Sequence, residues 1–435
     1  MGRDSDILTG LDLGTSKITV VVAEKTSDEG EPAHIIAVGQ APSRGLRKGM
    51  IVDLAQAVNS VSDAIADAES MLGGVKISHT TVAFSGLNVN CRVLHGAISL
   101  GKTPRAISRE DLERVIETAL GAMKIEPGSC VVHTIPARYS IDGHGGIENP
   151  LDMTGSRLEV DLTALVISTS VAQNVVNCVE KAGVSVVGLV LKSVAEALGT
   201  LTDDEKSMGA TLVTLGGGTT SLSVFTDGHL KYAVEIPVGG DHITNDLSCV
   251  KKIPFAVAEE LKKQISMDPD AECQGTVTIE NRGRPQEIDK AEMADIIGSR
   301  LDELFAESLV PGLEQLQKAG LPTDVVMNGG VMLMPGMEKF AASYLKTPVH
   351  IGEPVLREQM QPGRNDCRYG AACGIIVYLM EKRKNPYAYM SAPLSLFKSV
   401  IASGKKSSIR SPKRASQSVF KNVTRTAREI FKELF

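Results

Sequence analysis

Two stretches of this 435-residue chain carry residue types suited to holding phosphate. Asp12, Gly14, Thr15, Ser16 and Lys17 follow one apolar run, and Gly216, Gly217, Gly218, Thr219 and Thr220 follow another about 200 residues later. Each turn is succeeded by a β-rich run, Ile18–Val22 and Ser221–Phe225. A P-loop or dinucleotide loop opens a helix instead, so these two read as β-hairpin tips. Glycine there lets the backbone approach a ligand closely, and successive N–H groups can converge on an anion. The hydroxyls add donors and Lys17 adds a positive charge. Two such tips could clamp a polyphosphate from both sides, with Asp12 holding a hydrated Mg²⁺ beside it. Two plain hairpins with glycine turns would give the same pattern; the repetition favours phosphate. A third turn, Asn328-Gly329-Gly330, could lay bare backbone against a nucleobase or simply join a strand to a helix.

These loops need elements to carry them. Residues 7–25 and 210–225 read as strand, turn and strand. Apolar residues at 3–4 spacing from Ile51 to Ala68 predict a helix over 50–73, stopped by Gly73-Gly74. Residues 79–165 change character: short β-like runs surround one helical segment, Ser108–Met123, which suggests a small α+β insertion. The α/β pattern resumes at 171 with a helix, a strand at 184–191 and a helical segment at 193–201. Residues 255–320 read as mostly helical with a β interruption near 275–289. A strand at 324–327, a helix opening at Pro335-Gly336 and a small-residue helix at 368–382 follow.

Composition bounds the rest. The formal net charge is −6, hydrophobic residues make up 43% and charged residues 23%, with 41 Gly and no Trp. That is an ordinary globular balance, and the length suggests two to four structural units. No apolar run reaches the ~18 residues that span a bilayer, and the N-terminus lacks the pattern of a signal peptide. Seven scattered cysteines without a C-x-x-C pair point to free thiols in a reducing cytoplasm and against a zinc site. His133 and His144 read as structural or surface residues.

Charge is unevenly spread. Residues 391–435 hold ten Lys and Arg against two acids, whereas the rest of the chain is acidic. Residues 391–418, with nine Ser and six basic residues, have the composition of a flexible linker. On a helix, Val419, Phe420, Val423, Ala427, Ile430, Phe431, Leu434 and Phe435 share an arc of about 160°, opposite Lys421, Arg425, Arg428 and Lys432. A basic amphipathic helix of this kind suits an in-plane anchor on an anionic membrane; docking on the body or a partner is the other reading. Nucleic acid is not expected, because it would leave the apolar face unexplained.

Taken together, GLDLGTSK at 10–17, FSG at 84–86, GIENPLDMTGSRLEV at 146–160, LTDDEKSMGATLVTLGGGTTSLSVF at 201–225, GGDHITNDL at 239–247, AEELK at 258–262, NGGVMLMPGM at 328–337 and the terminal helix resemble the actin, sugar kinase and Hsp70 ATPase superfamily and, within it, the FtsA family. The resemblance implies an α/β, actin-like two-domain ATPase fold with an FtsA-type 1C insertion and a C-terminal amphipathic helix. It divides the chain into subdomain 1A (1–78, 166–194 and 355–390), 1C (79–165), 2A (195–240 and 311–354) and 2B (241–310), then the linker 391–418 and the membrane helix 419–435. ATP and Mg²⁺ would lie between the two domains. Glu259 and Lys262, on sequence alone a solvated charge pair, would reach the ribose. Arg300, on sequence alone a surface arginine, would belong to a 2B site for the C-terminal peptide of FtsZ. The family role is to tether FtsZ filaments to the inner face of the cytoplasmic membrane at the division site, with self-association into filaments and contacts to other division proteins. Small-molecule kinases and chaperone or pilus-assembly ATPases on the same fold are the alternatives. Thr214 and Ser221 stand where the family usually has acids, so hydrolysis is expected to be slow or absent.

Overall fold

The computed structural model describes residues 6–25, 33–271, 273–281, 283–391 and 394–398. Its frame is two five-stranded sheets built on one plan. In the first, Asp6–Leu13, Lys17–Lys25 and His34–Pro42 form an antiparallel meander. His79–Phe84 then adds parallel to Asp6–Leu13, and Ser185–Leu191 adds parallel beyond it. In the second, Ala210–Leu215, Thr220–Thr226 and His229–Ile236 form the meander. Val325–Asn328 and Val349–Ile351 add parallel in turn. The near-repeat in sequence is therefore a repeat of topology, and Leu13 pairs Ile18 just as Leu215 pairs Thr220. Both glycine turns sit at hairpin tips.

The strands read as continuous apolar runs because helices cover both sheet faces; Ile18 to Ala23 are all buried. The helix Leu54–Met71 packs on His34–Pro42. Asp53 caps it by accepting from the Gln56 amide at 3.1 Å. On the other face, Gly370–Lys384 crosses Lys192–Thr200 with no room between them. A Cβ on Gly374 would lie 1.6 Å from the Ala195 carbonyl. That close crossing explains the small-residue run Gly370–Gly374, and it fixes Lys192 and Glu196 beneath the space between the sheets.

The inserted unit has its own sheet of Asn90–Ser99, Ser129–Ile141, His144–Ile147 and Arg157–Ser168. The helix Arg109–Gly121 covers one face over a separate core that includes Leu112, Ile116, Leu158 and Leu162. A capping box of Ser108 and Asp111 starts that helix, as expected of such a pair. His79–Phe84, assigned to the insertion on sequence, belongs instead to the first sheet. Its apolar run is sandwiched between Asp6–Leu13 and Ser185–Leu191. The insertion leans on the second sheet's meander, where Thr163 Oγ1 donates to the Leu230 carbonyl at 2.9 Å and Arg138 pairs with Asp227.

Residues 255–320 form the helices Phe255–Lys262, Lys290–Leu304 and Val310–Lys318, joined to the hairpin Thr276–Asn281 and Arg284–Asp289. The expected β interruption is that hairpin. His133, fully buried, accepts the Leu191 amide on Nε2 at 3.0 Å. Burial pushes its pKa down to about 3; it is a neutral structural residue.

Candidate nucleotide cleft

The two tips meet across a cleft. Gly216 N–H donates to the Thr219 carbonyl at 2.9 Å and closes the second tip. The N-terminus of helix Gly240–Lys251 is laid against the same loop: the Gly240 amide reaches the Gly216 carbonyl at 2.9 Å and the Asp241 amide reaches Gly217 at 2.8 Å. From the first tip, Thr15 Oγ1 accepts the Gly49 amide at 3.1 Å and Ser16 Oγ lies 3.5 Å from Asp241 Oδ1. A Cβ on Gly217 would stand 1.9 Å from Ser16 Oγ. Glycine at 217 thus lets the Ser16 hydroxyl of the opposing loop come close; a side chain there would displace that hydroxyl and crowd Asp241.

A cavity of about 330 Å³ opens between these tips, a volume suited to a small ligand. Of the residues singled out in the sequence, Asp12, Gly14, Thr15, Ser16, Lys17, Gly216, Gly217, Glu259, Lys262, Gly329 and Gly330 all line it. Gly218 and Thr219 line a smaller recess of about 20 Å³ behind the second tip. Thr220 lines neither, because its hydroxyl is buried and donates to the Val238 carbonyl at 2.8 Å.

The floor differs from expectation. Asp12 is buried, and its two carboxyl oxygens face Lys192 Nζ at 2.8 and 3.1 Å. Burial works against the Lys192 charge, but Asp12 and Glu196 overcome it and hold its pKa above the ordinary lysine value. Glu196 Oε2 accepts from Ser221 Oγ at 2.6 Å, with Thr214 alongside. Burial raises the Glu196 pKa against the pull of Lys192. Glu235, behind it, is pushed up to about 8 by burial and by the nearby Glu196. Thr214 and Ser221 bring no acid to this spot; a neighbouring helix does. Lys192, Glu196, Glu235 and Asp241 escaped the sequence reading. The Lys192–Glu196 spacing of four on a helical segment was the available signal.

Lys17 stands apart from the role expected of it. Its ammonium lies 3.1 Å over the Tyr369 ring, whose hydroxyl donates to Gln40 Oε1 at 2.7 Å. Burial, helped by Arg368, lowers the Lys17 pKa to about 7. The tips therefore offer backbone amides and hydroxyls to the cavity, with the Lys17 ammonium placed on an aromatic face.

The far wall carries the groups expected at the sugar and base. Lys262, buried, bonds Glu259 at 2.6 Å and Thr244 Oγ1 at 2.8 Å. Glu259 keeps its side chain 30% exposed, and its other oxygen lies 3.9 Å from Lys263 Nζ, so the pair is a built part of the wall. Gly329 has φ +99°, and a Cβ there would lie 2.4 Å from the Leu215 carbonyl. Beyond it Val331, Leu333, Met334 and Arg368 also line the cavity, and Asp366 holds the Arg368 guanidinium at 2.6 and 2.8 Å.

Arg300 lies outside the cleft on helix Lys290–Leu304. Its side chain is 13% exposed and bonds Asp246 at 2.6 Å and Glu303 at 2.5 Å. It is a largely buried brace, not the surface arginine that the sequence alone suggested. The expected anchor residues Phe420, Val423, Ala427, Ile430, Phe431, Leu434 and Phe435 lie outside the described residues. Among the described residues no helix is long and apolar enough to cross a membrane, and no cluster of three or more His, Cys, Asp or Glu could hold a metal.

This geometry can be set against known proteins. Residues 211–374 match the family model of cell division protein FtsA, and residues 86–166 match that of the SHS2 domain inserted in FtsA. The chain is 32% identical to the cell division protein FtsA of Pseudomonas aeruginosa over 88% of this chain and 91% of that one. It is 35% identical to the FtsA of Borreliella burgdorferi over 87% and 92%. Among solved structures, the PilM–PilN type IV pilus biogenesis complex aligns with a TM-score of 0.60 at 17% identity, covering 85% of this chain and 98% of that one. That likeness supports the two-domain actin-like fold. The sequence relationship runs to cell division proteins and does not favour a kinase, a chaperone or a pilus scaffold. With its duplicated sheets, its inserted domain and this degree of identity over nearly all of its length, the chain belongs to the FtsA family of cell division proteins.

Proposed function

We propose that this division protein binds ATP in the cleft and tethers FtsZ filaments to the inner face of the cytoplasmic membrane. The observation that carries the nucleotide part is the meeting of two glycine hairpin tips over one cavity, each tip hung from its own copy of the sheet. The Gly14–Ser16 and Gly216–Thr219 backbones would cradle the phosphates, Glu259 and Lys262 would take the ribose, and Gly329-Gly330 would lie along the base. Bound ATP supplies a polyanion that draws the tips together and sets the angle between the halves. A Mg²⁺ ion would be held through water, because the Lys192 ammonium stands within 3.1 Å of both Asp12 oxygens; it would offset phosphate charge there.

The remaining assignments follow the family pattern. The first sheet would be the core of subdomain 1A, the inserted unit 1C, the second sheet 2A, and the helices around Arg300 subdomain 2B. Arg300 would shape the FtsZ-peptide site by bracing Asp246 and Glu303. Residues 391–418 would span from the body to an amphipathic helix at 419–435 on anionic lipid, and filaments would form by head-to-tail contacts. ATP would act mainly as an assembly ligand.

The test is recruitment of FtsZ to anionic vesicles by the full chain or by a version ending at Ser418. The expected result is FtsZ pelleting with the full chain alone. Recruitment by neither version would remove the tether and leave an actin-like protein with another client.

A further inference from the structure

Behind the second hairpin tip, the recess of about 20 Å³ has room for a single water. Its polar lining includes Thr15, Ser85, Thr219, Ser221, Glu196 and Glu235. Glu235 is 1% exposed, and among the described residues neither of its oxygens meets a partner at bonding geometry, although Ser85 and the Gly86 amide stand close. A buried carboxyl group with under-satisfied oxygens beside a space of one water's size is where an ordered water fits. The recess shares Thr15, Lys192, Glu196, Thr214, Gly216 and Gly217 with the main cavity. The water site therefore abuts the phosphate end of the cleft, and Glu196 borders both.

We propose that Glu196 is the general base for nucleoside triphosphate hydrolysis, acting on a water held between it and Glu235. The proposal rests on the nucleotide reading above. In the step, the water oxygen bonds to the terminal phosphorus while its proton passes to the Glu196 carboxylate. The bond from that phosphorus to the bridging oxygen breaks, and its electron pair leaves with the nucleoside diphosphate. The proton on Glu196 then returns to solvent or to the released phosphate. Helix Lys192–Thr200 delivers the carboxylate, and its crossing with Gly370–Lys384 fixes where that carboxylate sits. Thr214 and Ser221 have only to make room and donate. On this proposal the acid missing from positions 214 and 221 is supplied in space by position 196, and hydrolysis is faster than the sequence alone leads one to expect.

The experiment uses the full chain with Mg²⁺ and γ-labelled ATP. Nucleotide affinity is measured by calorimetry and hydrolysis by single-turnover phosphate release, for wild type, Glu196→Gln, and the double variant Glu196→Ser/Ser221→Asp. Since Ser221 Oγ lies 2.6 Å from Glu196 Oε2, the double variant returns a carboxylate to nearly the same place. The expected result is ATP affinity within about threefold throughout, hydrolysis down about 10²-fold or more in Glu196→Gln, and at least tenfold recovery in the double variant. A merely structural glutamate would not be rescued in this way. Wild-type rates in Glu196→Gln, or a wild type that binds ATP without hydrolysing it, would overturn the base and leave the nucleotide site standing. A wild type that binds no ATP would overturn both.

Discussion

Replacing Lys192 by Met would test how the cleft floor is held together. Asp12 is 3% exposed and Lys192 18%, with Nζ at 2.8 and 3.1 Å from the two carboxyl oxygens. At an effective dielectric constant of ~20, a separation of this size corresponds to ~6 kcal/mol of gross attraction. Desolvation of both groups consumes most of it. The variant loses the attraction but keeps the desolvation of Asp12, so it should cost ~3–5 kcal/mol. The upper end is favoured because Lys192 also faces Glu196, whose buried carboxyl group loses the same cation. Asp12→Asn/Lys192→Met removes both charges and should cost only ~1–2 kcal/mol. The assay is urea unfolding at pH 7 with matched m-values. The Lys192 pKa is raised in the folded protein, so the wild-type advantage is complete below the unfolded value of 10.5 and fades as pH rises through the folded one. A loss under ~1 kcal/mol in Lys192→Met, or a double variant as costly as the two single ones summed, would refute this picture of the floor.

Lys17 has the opposite sign. Its folded pKa of about 7 lies below its ordinary value of 10.5, so the unfolded chain binds the extra proton and stability should rise from pH 7 toward 10.5. Lys17→Met should therefore be more stable than wild type at pH 7, with the margin shrinking as pH rises; parallel curves would exclude the buried placement on Tyr369. Asp111 should govern acid sensitivity of the inserted domain. Arg105 and Ser108 hold its carboxyl far below the usual carboxylate range, so its contribution is complete above the unfolded value of 3.8 and lost as pH falls below it. Because Arg105 is 43% exposed, Asp111→Asn should cost only ~1–3 kcal/mol and should flatten the loss of stability below about pH 4, measured by circular dichroism. Arg300→Ala should cost ~1.5–3 kcal/mol and weaken binding of an FtsZ C-terminal peptide at least tenfold in fluorescence anisotropy. Unchanged peptide affinity would separate the brace from the partner site.

The sequence was most informative where local chemistry and fold agree. Both glycine tips, the helix after Asp53, the capped helix at Ser108 and the hairpin near 275–289 were legible, because turn residues and periodicity act over a few positions. The strand His34–Pro42 and the helix Gly240–Lys251 went unread. The first mixes apolar and polar residues at a sheet edge, and the second begins on two glycines. The cleft was half legible. The Glu259–Lys262 pair was singled out only through the family resemblance, whereas Gly216 and Gly217 announce themselves by type and spacing. Lys192 and Glu196 do not, because their role depends on a helix crossing that only the packing of Gly374 against Ala195 reveals. For the same reason, the sequence could not show that Glu196, from another helix, stands beside Thr214 and Ser221. Exposure of Arg300 likewise could not be judged without Asp246, fifty-four residues away in the chain.

The most direct test of the central claim is calorimetric titration of ATP and Mg²⁺ into the wild-type chain and into Gly217→Val. A valine there would drive the Ser16 hydroxyl, 1.9 Å from the first added carbon, out of the tip contact and press on Asp241 and the Ser16 Cβ. One ATP per chain in the wild type, with affinity lowered at least a hundredfold in the variant, is the result this account predicts. No binding heat from the wild type, or equal affinity in both, would contradict it.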